Sequence, residues 1–240
     1  MRVTVVIPCF NEEKRLRLDG FGPLLAPRGP GSLLFIDNGS TDGTSRVIAE
    51  HRARQPMVEL VTLPPVGGKA EAVRQGMLRA LAAGAEVVGY LDADLATPAE
   101  EMIRVLEPVT SGAAEASIAQ RDRAAGDIGR TALRNLLGAG FRALARRVLA
   151  ADIADTQCGA KAFRAGPPLT RALAEPFHAR WAFDVELLGR LFASGLPRAR
   201  LAQVPLRTWN DVPGSKLGPL DVPRMALELV RIRAALARWR

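Results

Sequence analysis

The chain has 240 residues, 48% hydrophobic and 24% charged, an ordinary globular composition that excludes intrinsic disorder and suits one large α/β domain or two small ones. Its longest run without Asp, Glu, Lys or Arg is nine residues, short of the ~20 that a membrane-spanning helix needs. Glu12 and Glu13 fall where the apolar stretch of a secretory signal should lie, and Cys9 and Cys158 are too few for a disulfide framework or a cysteine-based zinc site, so a cytoplasmic protein is expected.

Residues 3–8 form a short apolar run that reads as a buried strand, and 33–37, 58–63, 87–91 and 115–119 read the same way. Helical stretches lie between them at 12–19, 42–54, 69–84 and 98–112; Thr97-Pro98 followed by Glu100 and Glu101 is a strong helix start. The Gly/Pro-rich piece 22–31 reads as a surface loop. Strands alternating with helices imply βαβ units and a mostly parallel sheet. The second half reads as a helix over 128–149, an irregular stretch at 155–159, a helix over 183–194, a strand over 199–206, a loop over 208–219 and a last helix over 222–239.

Ligands bind such sheets at the carboxyl ends of the strands, and the polar clusters of this chain fall there. Cys9-Phe10-Asn11-Glu12 follows the first strand, the turn from Asp37 to Gly43 the second, and Asp92-Ala93-Asp94 the fourth. Two carboxylates one residue apart suit a hard divalent cation, which takes oxygen ligands; the competing reading is a loop pair that caps the next helix. Asp42 reads as a helix N-cap. That does not explain Asp37, a carboxylate able to accept hydrogen bonds from a base or a ribose hydroxyl. Gly67-Gly68-Lys69 resembles a shortened phosphate loop, without the full Walker A pattern, and no Gly-x-Gly-x-x-Gly follows the first strand. His51 and His178 form neither a metal nor a triad pattern and read as surface or structural residues.

Charge divides the chain. Residues 1–100 hold 11 Lys+Arg and 12 Asp+Glu, whereas residues 101–240 hold 22 and 13. Only four of the 33 cations are lysines. A basic second half calls for an anionic partner: phosphate groups, a membrane surface or nucleic acid. Nucleic acid is disfavoured, because no aromatics for base stacking cluster among residues 121–135. Leu133, Leu137, Gly140, Phe141, Leu144 and Val148 make an apolar stripe on one basic helix, and Met225, Leu229, Ile232, Leu236 and Trp239 make one on the last. Such helices lie in a membrane interface; the competing reading is that both stripes pack on the sheet or form a homo-oligomer contact.

Taken together, Val5-Val6-Ile7-Pro8 with Asn11-Glu12, the Asp37 to Thr44 turn, Gly68-Lys69 and Asp92-Ala93-Asp94 resemble the family 2 glycosyltransferases of the GT-A fold. Asp155-Thr156-Gln157-Cys158-Gly159, Arg180-Trp181-Ala182-Phe183-Asp184-Val185-Glu186 and Pro213-Gly214-Ser215-Lys216 resemble the dolichyl-phosphate β-glucosyltransferase branch of that family; polyprenyl-phosphate mannose synthases share the first of these strings. The resemblance implies a GT-A domain over 1–220, with a Rossmann-like, mostly parallel sheet flanked by helices. Residues 1–120 would be its nucleotide-binding half, 121–220 its acceptor half, and 221–240 a basic amphipathic helix.

It also implies a transferase moving a sugar, with glucose the expected one, from a UDP-sugar to a polyprenyl phosphate with inversion, at a membrane surface to which the protein is peripherally attached. By motif position, Pro8, Asn11, Glu12 and Asp37 would line the base and ribose pocket. Lys69 and Asp92 would lie near the ribose or diphosphate, and Asp94, with Asp92, would ligate Mg²⁺ or Mn²⁺. Gln157 and the segment from Trp181 to Glu186 would form the sugar and acceptor side, and Ser215 and Lys216 a loop able to close over the diphosphate.

An acceptor phosphate has its second pKa near ~6 and is an anion at pH 7. It needs cations rather than a strong base, and Arg121, Arg123, Arg130 and Arg134 are candidates. A hydroxyl acceptor, the alternative, would need a general base, with Asp184 or Glu186 the first suspects.

Overall fold

The computed structural model describes residues 1–26, 29, 31–65, 67–121, 132–210 and 221–239, the side chains of 132–137, 221–223 and 226 excepted. Its centre is a seven-stranded sheet in the order β3-β2-β1-β4-β6-β5-β7. Strands β1 (Val3–Cys9), β2 (Leu33–Asp37), β3 (Val58–Thr62) and β4 (Val87–Leu91) run parallel. So do β5 (Ala116–Gln120) and β7 (Leu201–Pro205) with one another. Strand β6 (Ala160–Arg164) is antiparallel to both its neighbours, β4 and β5. β2 and β4 are buried on both faces, which is why they read as unbroken apolar runs.

Helices cover both faces. Those of the first half are α1 (Gly22–Leu25), α2 (Thr44–Arg52), α3 (Gly68–Ala82) and α4 (Ala99–Thr110). The second half supplies α5 (Ala132–Leu149), α6 (Pro167–Ala172), α7 (Phe183–Ala193) and α8 (Asp221–Leu236). Alternation along the strands divides the core in two. Val6, Ile36, Val88, Tyr90 and Phe163 pack on the side of α3 and α7, while Val5, Ile7, Phe35, Val87 and Leu91 pack with Met102 and Val105 of α4.

Three local expectations are corrected. Residues 12–19 are not a helix: the Glu12 amide donates to Thr44 Oγ1 at 2.8 Å and the Glu13 amide to Asp42 Oδ2 at 3.2 Å, so this segment is pulled into turns against α2. A short 3₁₀ turn, Leu18–Phe21, follows, and α1 opens the stretch 22–31 that was expected to be a surface loop. Strand β6 was not anticipated, because Lys161 interrupts its apolar run.

The apolar stripes also find their cover inside the molecule. Helix α8 packs on α5 and α7; Leu229 and Ile232 are fully buried, and Leu236 seats on Gly189 of α7, where a side chain would collide with it. Phe141, Leu144 and Val148 of α5 join the same core. Trp239 lies with its ring 4.7 Å from the Arg190 guanidinium. The described parts of both stripes are therefore packing surfaces, not the membrane-facing sides expected of them, while the side chains of Leu133 and Leu137 lie outside the described residues. No helix among the described residues is long and apolar enough to cross a membrane.

Candidate functional site

The carboxyl ends of β1, β2 and β4 meet at one rim, through turns that their own side chains hold. Asn11 takes a left-handed conformation (φ 53°), which its short polar side chain tolerates. Its Oδ1 accepts the Thr41 amide at 2.9 Å, and its own amide donates to Ser40 Oγ at 2.9 Å. The β1 and β2 turns are thus locked together. Asp37 is buried, and its carboxylate accepts the Ser40 amide and hydroxyl at 3.0 and 2.5 Å and the Ser45 hydroxyl. Glu12 pairs with Arg15 at 2.7 Å. Pro8 lies in β1, one residue before its end. These residues shape the turn walls of one end of the rim.

Next to it, Lys69 in the first turn of α3 reaches the end of β4, with Nζ 2.6 Å from Asp92 Oδ1. Partial removal from water lowers the lysine pKa, but Asp92, Asp184 and Asp94 outweigh it and hold the ammonium above its ordinary value. Asp94 Oδ1 accepts the Ala96 amide at 3.1 Å, and Leu95 between them is left-handed (φ 53°). Among the described residues no group of three or more His, Cys, Asp or Glu side chains could hold a metal. With Asp92 already neutralised by Lys69, the donor set is Asp94 alone. That fits a hard cation which arrives with a diphosphate and keeps its waters, and not a cation caged by protein.

The Asp155 to Gly159 string closes against this point. The Asp92 amide donates to the Gly159 carbonyl at 2.9 Å, and a Cβ on residue 159 would run into the Asp92 carboxylate. Glycine is required there by close approach. Gly159→Ala should cost about 1–3 kcal/mol of stability by overpacking, read by denaturant unfolding, and should displace Asp92 from Lys69. Unchanged unfolding would show that the contact is slack. Asp155 is buried and grips Arg121 through Nε at 2.6 Å and NH2 at 2.9 Å. Burial pushes the Asp155 carboxyl up, but the Arg121 guanidinium more than offsets it and holds it below the usual range. Arg121, expected to bind acceptor phosphate, is thus committed to Asp155, with Trp209 5.7 Å away. Gln157 Nε2 is buried with no acceptor among the described residues, a donor left over at the rim.

On the far side, Asp184 opens α7 in a buried position. Its Oδ1 pairs with Lys161 Nζ at 2.8 Å and accepts the Tyr90 hydroxyl. Lys161 is fully buried and also donates to the Tyr90 oxygen at 2.9 Å and to the Cys158 carbonyl at 2.6 Å. Tyr90 and Lys161 face each other across β4 and β6. Burial first, and then Asp184, pushes the Tyr90 hydroxyl well above its ordinary pKa, so it stays a donor.

Glu186, expected on the acceptor side, is instead buried. It pairs with Arg190 at 2.6 Å and His178 at 2.9 Å, and accepts the His178 and Ala179 amides at 2.9 Å. Trp181 is 40% exposed. Glu228 of α8 accepts the Arg180, Trp181 and Ala182 amides at 3.1, 3.1 and 2.8 Å. Two carboxylates therefore hold five consecutive amides of this loop.

The structure brings Lys69, Asp92, Asp94, Asp184 and the Gln157 string to one end of the sheet. Arg123, Arg130, Ser215 and Lys216 lie outside the described residues, and Arg134 falls on α5 without a described side chain. Lys161, Tyr90 and Glu228 were not anticipated. A lysine flanked by apolar residues in Ala160-Lys161-Ala162-Phe163 was the signal for the first; the other two carry none.

Comparison with known proteins follows the same lines. The model of Glycosyl transferase family 2 matches residues 4–167. The dolichyl-phosphate beta-glucosyltransferase of Dictyostelium discoideum is 31% identical over 252 residues, covering 96% of this chain and 73% of that protein. The enzyme of that name from Homo sapiens is 31% identical over 259 residues, covering 100% and 78%. Among solved structures, glucosyl-3-phosphoglycerate synthase from Mycobacterium tuberculosis bound to UDP superposes with a TM-score of 0.68 at 22% identity, over 98% of this chain and 79% of that one. Its complex with Mn²⁺, UDP and glucosyl-3-phosphoglycerate gives 0.65 at 25%, over the same shares.

Proposed function

The chain belongs to glycosyl transferase family 2, and from that premise we propose that it transfers glucose from UDP-glucose to the phosphate of a polyprenyl phosphate. An acceptor phosphate oxygen attacks the anomeric carbon. The bond from that carbon to the UDP oxygen breaks, the configuration inverts, and UDP leaves with the bonding pair.

The observation that carries the acceptor class is the state of the two candidate bases. A hydroxyl acceptor needs a carboxylate free to take its proton. Asp184 is occupied by Lys161 and Tyr90, and Glu186 by Arg190, His178 and two amides. An acceptor that arrives ionised needs neither. The names of the relatives, which state a dolichyl-phosphate acceptor and β-glucosyl transfer, support the same reading.

In this reading Asn11 and Asp37 shape the nucleoside pocket, Lys69 meets the diphosphate and Gln157 donates to the sugar. Asp94 would hold Mg²⁺ or Mn²⁺, which supplies charge neutralisation at the leaving diphosphate; the UDP and Mn²⁺ in the structural neighbour support that choice. Asp184 with Lys161 positions the loop ahead of α7.

The test is a transfer assay with UDP-glucose, Mg²⁺ or Mn²⁺, and either a polyprenyl phosphate or the matching free polyprenol in detergent. A glucosyl phospholipid, absent with the polyprenol and abolished by EDTA, is the expected result. Product from the polyprenol would move the acceptor to the hydroxyl class. Failure to bind any nucleotide sugar would overturn the donor assignment.

A further inference from the structure

Six large hydrophobic side chains are exposed among the described residues, and two of them lie on α8: Leu227 at 51% and Val230 at 58%; a third, Trp181 at 40%, lies on the loop that this helix holds. Helix α8 has its buried stripe on one side, so Leu227, Val230 and the exposed Ala234 form a ridge on the other. The Glu228 carboxylate takes the amides of residues 180–182 and so holds the exposed Trp181 against the same helix.

Charge selects what covers the ridge. Residues 224–239 contain four arginines, 224, 231, 233 and 238, all exposed, and a single acid, Glu228. That acid is spent on the loop amides, so the outward face of the helix presents an apolar ridge flanked by the exposed Arg231, Arg233 and Arg238. We propose that this face of α8, with Trp181, seats the protein on an anionic lipid surface. Leu227, Val230 and Trp181 enter the headgroup boundary while the arginines meet lipid phosphates. The seat is the reverse side of the helix from the stripe that its amphipathic pattern suggests, and Glu228 ties it to the loop leading into Asp184. Its purpose rests on the lipid-phosphate acceptor proposed above; its test does not.

The purified chain is sedimented with vesicles of phosphatidylcholine alone, or containing about 30% phosphatidylglycerol, with no polyprenyl phosphate in either. The wild type should pellet with the anionic vesicles, more weakly in high salt, and stay in solution with the neutral ones. Leu227→Gln with Val230→Gln, and separately Arg231→Gln with Arg233→Gln, should each lower the partition about tenfold. These positions are exposed, so unfolding curves and UDP-glucose binding should not change. A wild type that ignores anionic vesicles, or variants that bind as it does, overturn the seat. A double variant that instead converts a dimer to a monomer in sedimentation velocity assigns the ridge to a second copy of the chain. Absence of UDP-glucose binding in the same preparation would strike the transferase reading and leave the vesicle result standing.

Discussion

Lys161→Met should destabilise the fold by about 3–5 kcal/mol, the cost of leaving a buried charge without its partner. Lys161 is fully buried, and its ammonium is shared among Asp184, Tyr90 and the Cys158 carbonyl. Methionine fills similar volume, so the loss comes from the stranded Asp184 carboxylate and the unbound carbonyl, not from a cavity. The pair can be separated from its surroundings by a second change. In Lys161→Met combined with Asp184→Leu no buried charge remains, and most of the lost stability should return, since apolar replacements of whole buried pairs are often neutral or stabilising. Urea unfolding of the wild type, both single variants and the double variant gives the coupling directly. A single variant within about 0.5 kcal/mol of wild type, the ordinary effect of a surface change, would mean that Lys161 carries no buried charge pair. The double variant would still lack transfer if Asp184 and Lys161 position the loop above the acceptor, so recovered stability without recovered activity separates positioning from folding.

The same lysine marks where sequence reading stops. Strands β1, β2, β4 and β5 are legible as apolar runs because burial of both faces removes most polar requirements from them, and the half-exposed edge strands β3 and β7 are legible from their Val and Leu residues. Strand β6 is not, because one buried lysine satisfied by partners 23 and 71 residues away looks like a surface residue locally. Residues 12–19 fail for a related reason. Glu12, Glu13, Lys14 and Arg15 favour helix locally, and the Glu12 carbonyl accepts the Arg15 and Leu16 amides at 2.8 Å, but this single turn, anchored to Thr44 and Asp42, does not propagate, and tertiary context wins over propensity.

The candidate site divides likewise. Asp92, Asp94 and Lys69 stand at strand and helix ends that periodicity alone locates. The partners that decide their chemistry do not: that Lys69 neutralises Asp92, that Arg121 is bound to Asp155 and that Glu186 is turned inward depend on side-chain placement. The apolar stripe of α8 was legible as a stripe, and its burial was not, since the pattern is the same whether a sheet, a second copy or a lipid covers it.

Asp94→Asn should lower transfer at least ~10²–10³-fold, the scale of removing one electrostatic stabiliser of a developing anion. Asparagine keeps an oxygen for the Ala96 amide, which Asp94 Oδ1 accepts at 3.1 Å, so the turn that holds Leu95 in its left-handed conformation stays intact and only the negative charge is lost. Asp94→Ala removes the charge and the hydrogen bond together. It should lose transfer to the same extent and also about 1 kcal/mol of stability. Equal transfer loss with unequal stability is therefore the signature of a charge that acts on the leaving diphosphate rather than on the fold. Binding adds a second readout. The increase in UDP affinity on adding Mn²⁺ should vanish in both variants, while binding of uridine, which has no phosphates, should not change. Lys69 already neutralises Asp92, so Asp92 cannot take over while that pair persists. Near-wild-type transfer by Asp94→Asn would place the cation elsewhere and overturn the assignment of Asp94.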